Sequence, residues 1–81
     1  MYRMYWGRAH IHHEDFEDLG LARDECARLV RQEIIDLGYE DPKIAVEFSE
    51  DKTKMWLRPF DDLDPYGRYP MIVRVDGRPF N

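Results

Sequence analysis

At 81 residues the chain has room for one domain, 1–81, and one core, and this length excludes a second. A composition 43% hydrophobic and 14% aromatic argues against disorder, while 36% charged residues and a formal net charge of −5 disfavour generic attraction to phosphate backbones and anionic membrane surfaces. No run of ~18 apolar residues and no leader-like segment is present, and a single cysteine, Cys26, cannot form an intrachain disulfide, so the expected setting is the cytoplasm, without membrane insertion.

Residues 1–6, rich in Tyr2, Tyr5 and Trp6, suit a half-buried strand. Gly7 marks a bend, and residues 9–13 are expected to continue the strand with His10 and His12 on one face, until the acidic run 14–18 ends it. From 22 to 37 the residues Ala22, Cys26, Leu29, Val30, Ile34 and Leu37 recur at steps of three and four, the signature of an amphipathic helix. Asp24 and Glu25 favour its N-terminal end, Gly38 suits its C-terminal cap, and Leu29, Ile34 and Leu37 are its expected core stripe. Residues 43–48 alternate as a strand with Ile44, Val46 and Phe48 on the face expected to receive the helix. Residues 54–60 complete a hairpin with Met55 and Leu57 opposite Trp56 and Arg58, 61–70 form an exposed loop, and 71–75 form the last strand. The expected fold is α+β: one amphipathic helix packed on a small, mainly antiparallel sheet in the order β-α-β-β-β.

Three constellations carry candidate chemistry. His10 and His12 on one strand face, with Asp15 nearby, offer the ligand types of a divalent-metal site, although helical and zinc-ribbon ligand spacings are absent. Clustered carboxylates, among them Asp61, Asp62 and Asp64, would complement a basic groove on a partner. Trp56, Tyr66, Arg68 and Tyr69 belong to the residue types enriched at interface hot spots, and the prolines at 65 and 70 limit the freedom of the loop that carries three of them.

No serine elbow, P-loop or dinucleotide fingerprint occurs, so an enzyme is the least favoured reading, and no cofactor is expected. The leading expectation is a small acidic regulator or inhibitor that blocks a surface on a protein partner through Asp61, Asp62, Asp64, Tyr66, Arg68, Tyr69 and Trp56. In type, though by no residue pattern, such a chain is similar to phage-encoded anti-defence proteins that mask a nucleic-acid site on a nucleic-acid-binding target. The alternative is a metal-binding module using His10 and His12. Direct nucleic-acid binding is not expected. A homodimer would relieve the thin stability margin of so short a chain.

Overall fold

A computed structural model describes residues 1–40, 43–59 and 69–80. It is α+β: strands β1 (Tyr2–Trp6), β2 (His12–Phe16), β3 (Ile44–Phe48), β4 (Lys54–Pro59) and β5 (Met71–Arg74), with one helix, α1 (Leu19–Asp36), between β2 and β3. The sheet is antiparallel throughout, in the order β2-β1-β5-β4-β3, so β5, last in sequence, lies at the centre and α1 carries the chain from one edge to the other.

One strand more is present than the sequence pattern predicts. Residues 9–13 do not extend β1. Gly7, at φ 83°, turns the chain, Arg8–His10 form a 3-10 turn with Ala9 and His10 both at positive φ, and the chain returns as β2 antiparallel to β1. The acidic residues expected to end a strand lie inside this one: Glu14 opposes Met4 and Asp15 opposes Arg3. An edge strand tolerates such residues because one side of it faces water.

The helix begins three residues earlier than expected. Asp18 is its N-cap, accepting from the Gly20 amide at 3.0 Å, so Asp24 and Glu25 fall beyond the first turn. Its far end closes as a Schellman motif: the Gly38 amide donates to the Ile35 carbonyl at 2.9 Å and the Tyr39 amide to the Ile34 carbonyl at 3.2 Å, with Gly38 at φ 95°.

Core packing follows from the four-residue spacing of Ala22, Cys26, Val30 and Ile34, all buried, against Met4, Met55, Leu57 and Ile72 of the sheet. Leu29 only flanks this stripe and Leu37 is exposed, which corrects the expected stripe of Leu29, Ile34 and Leu37. The helix packs on β4, β1, β2 and β5. Ile44 touches the core, but Val46 and Phe48, on the same face of β3, lie beside the helix and stay 39% and 43% exposed. Near the N-terminal end of α1, Phe80 fills part of the space left over: its amide donates to the Lys52 carbonyl at 2.8 Å, and its ring lies near those of Tyr2 and Phe48.

Candidate functional site

Strand register assigns every sheet side chain to a face, because directly opposed residues share one and neighbours along a strand alternate. Met4, Ile72 and Met55 oppose one another beneath the helix. One residue along, on the other face, His13, Tyr5, Met71, Trp56 and Glu47 form an unbroken row across all five strands. The adjacent row on that face runs Asp15, Arg3, Val73, Lys54. Among the described residues no α-helix or strand covers this side, and only His10 of the 3-10 turn reaches it, beside Tyr5. Tyr5, Met71, Val73 and Trp56 are half-buried, and none belongs to the helix-side core.

Ion pairs close both flanks of the row. Arg3 donates through Nε and Nη2 to the two carboxylate oxygens of Asp15, at 2.7 and 3.1 Å, and Arg58 Nε donates to Glu47 Oε2. The Asp15 carboxyl is held below its ordinary range, first by the Arg3 hydrogen bonds and then by the Arg3 charge. The surface is thus an aromatic and thioether centre flanked by two ion pairs, Arg3–Asp15 and Arg58–Glu47.

Of the sequence-predicted partner-binding residues, Trp56 lies at the middle of this face. Tyr69 does not lie at a surface: it is 5% exposed, and its carbonyl lies 3.3 Å from His10 Nε2, so its ring is not presented to a partner. Asp61, Asp62, Asp64, Tyr66 and Arg68 lie outside the described residues. Tyr5 and Met71 were not among the expected residues. The signal that finds them is pairing register, which places two distant segments beside Trp56.

The histidines are not arranged as expected either. His12 lies tilted beside Trp6, ring centroids 5.7 Å apart, on the helix side of β1, whereas His10 leaves the 3-10 turn to approach Tyr5, centroids 6.4 Å apart, on the other side. Asp15 is engaged by Arg3, and the described residues contain no group of three His, Cys, Asp or Glu side chains able to hold a metal ion. His13, the histidine left out of that expectation, is the one that joins the helix-free row, its ring 5.9 Å from Tyr5.

The remaining shifted titrations have structural causes. Burial pushes the Cys26 thiol up to about 12, the Arg28 hydrogen bonds lower Glu25, and turn hydrogen bonds lower Asp51 and Asp76. These groups are dispersed and meet in no common cavity. A shallow groove of ≈ 450 Å³ runs between Trp6, Leu29, Leu37 and Pro70 with Gln32 and Asp36 at its rim; Asp36 there accepts from Gln32 at 2.9 Å. No helix among the described residues is long and apolar enough to cross a membrane. Comparison with protein-family models, curated proteins and solved structures finds no match.

Proposed function

We propose that the chain is a protein-binding module, a regulator or inhibitor that covers a surface of a macromolecular partner with its helix-free sheet face. The observation that carries this reading is the row Tyr5–Met71–Trp56. A one-sided antiparallel sheet ordinarily turns polar residues to water, and an aromatic centre with a charged rim is instead the anatomy of an interface. Trp56 and Tyr5 are the anchors, since such side chains bury large area at small entropic cost. The partner is a protein rather than a nucleic acid, because the rim arginines Arg3 and Arg58 are already paired with carboxylates and the chain carries a net charge of −5. That net charge also supports the finer form of the proposal, in which the partner is itself a nucleic-acid-binding protein whose site the chain masks, as phage-type anti-defence proteins do.

The test is binding kinetics against the protein recovered by affinity capture from the native host, using Trp56→Ala and Tyr5→Ala, with Arg28→Ala on the outer helix surface as control. Trp56→Ala is expected to shorten the lifetime of the complex, with a loss of about 2 kcal/mol or more, while the control binds normally. Wild-type dissociation rates in both face variants would remove the helix-free face from consideration.

A further inference from the structure

The two edges of the sheet are built differently, and the difference points to a second copy of this chain. In the β3–β4 hairpin the Ser49 amide donates to the Lys54 carbonyl at 3.0 Å, so 49 and 54 form a hydrogen-bonded pair. The alternation of an antiparallel ladder then turns the amides and carbonyls of Ala45 and Glu47 towards β4 and those of Ile44, Val46 and Phe48 outward. Pro59, which has no amide to give, stands opposite Ile44, where none is required. The outward-turned residues are thus apolar, and two of them, Val46 and Phe48, have exposed side chains.

We infer that β3 pairs with β3 of a second copy, antiparallel and centred on Val46, so that the two sheets become one. This register sets Ile44 against Phe48, Val46 against Val46 and Ala45 against Glu47, so no like charges meet. The pairs that exchange backbone bonds are those whose groups already point outward. The same operation on the opposite edge, centred on the middle of β2, would oppose Glu14 to Glu14, a repulsion of the kind that guards edge strands. A twofold pairing is isologous and closes at two copies. It stands apart from the helix-free face, which it leaves open on both protomers.

Sedimentation equilibrium over a concentration series tests it, together with Val46→Lys and Val46→Cys. The wild type is expected to approach twice 9.8 kDa, and Val46→Lys to remain at the monomer mass with an unchanged circular-dichroism spectrum. Oxidised Val46→Cys should run as a disulfide-linked dimer, since opposed residues in a hydrogen-bonded pair lie ~5.5 Å apart between Cα atoms, within disulfide reach. Glu47→Cys, opposed to Ala45, should not cross-link. Cys26 is buried and does not compete. A wild type that stays monomeric at every concentration overturns the inference, as does a dimer that survives Val46→Lys. If Val46→Lys fails to fold, the absence of a Val46→Cys cross-link overturns it instead. Pairing of β3 with an added peptide while the chain alone remains monomeric assigns the edge to another partner and rejects the second copy.

Discussion

Two neighbouring rows of the sheet, one residue apart, differ in what covers them. On the helix face run Glu14, Met4, Ile72, Met55 and Phe48, with only the middle three beneath the helix; on the other face run His13, Tyr5, Met71, Trp56 and Glu47. Both have a large, oily centre and less buried ends. In the first the centre is driven to between 0% and 3% exposure by Cys26, Val30 and Ile34, whereas in the second no described α-helix or strand lies above it. The one helix seals one face of this five-stranded sheet and leaves the other to be explained. Stability accounts for the first row, and the second is the surface that the proposed function sets against a partner.

The sharpest way to break that comparison is to truncate both centres. Ile34→Ala should cost ~2–5 kcal/mol in urea unfolding, as a fully buried large-to-small change. Trp56→Ala should cost about 1 kcal/mol or less, the range of a cross-strand pair on a solvated face. Equal costs would make the helix-free face a second core and withdraw it as an interface. Leu37→Ala, at an exposed position of the helix-side stripe expected from sequence, should fall within about 0.5 kcal/mol of wild type.

Chemical accessibility sharpens the same contrast without a substitution. Methionine oxidation follows exposure, so peroxide should convert Met1 and Met71 to sulfoxide well before Met4 and Met55, as read by peptide mass spectrometry. Cys26, with its thiol pushed up to about 12 by burial, should resist a thiol reagent at about pH 8 in the folded protein and react fully in denaturant. Oxidation of Met71 no faster than Met55 would show that the second row is covered.

Which parts of this arrangement were legible in the sequence depends on the range of the interactions that determine them. The helix announced itself through the spacing of Ala22, Cys26, Val30 and Ile34, which needs only neighbours along the chain. The β3–β4 hairpin was equally plain, its alternation of Met55 and Leu57 against Trp56 and Arg58 matching the two faces observed. Strand β2 was hidden because residues 12–15 are polar and exposed, with Phe16 alone packed against the core, and only pairing with β1 makes it a strand. Leu37 was read as core from periodicity alone, yet the helix ends at Asp36, and Leu37, its C-cap residue, is exposed. The candidate site was legible only as Trp56. Its companions Tyr5 and Met71 lie 51 and 15 residues away in sequence, and cross-strand register cannot be read from composition.

That register has a chemical anchor, which gives the smallest effect of the set and ties it back to both rows. A slip of one residue between β3 and β4 would exchange Met55 and Trp56 between faces, putting an indole in the core and a core methionine in water. The turn that prevents it is built on Asp51, whose Oδ1 accepts from the Ser49 hydroxyl at 2.7 Å, the Thr53 hydroxyl at 2.7 Å and the Thr53 amide at 3.0 Å, while Lys52 takes φ 60°. The Thr53 and Ser49 hydroxyl bonds, with the Thr53 amide, favour the ionised carboxylate and lower it to about 2. A carboxyl depressed in the folded state stabilises the fold fully above its unfolded value of ~3.9, and that contribution is lost as pH falls through about 2. Asp51→Asn keeps an acceptor but not the charge. Its deficit in melting temperature should therefore be constant near neutrality, shrink below about pH 4 and close only below about pH 2, where the wild-type carboxyl also becomes neutral. Asp51→Ala also deletes the acceptor, so its deficit should persist in acid. If the Asn deficit were independent of pH, the charge on Asp51 would have no part in holding the register, and the hydroxyl bonds of Ser49 and Thr53 would have to hold it without help from ionisation.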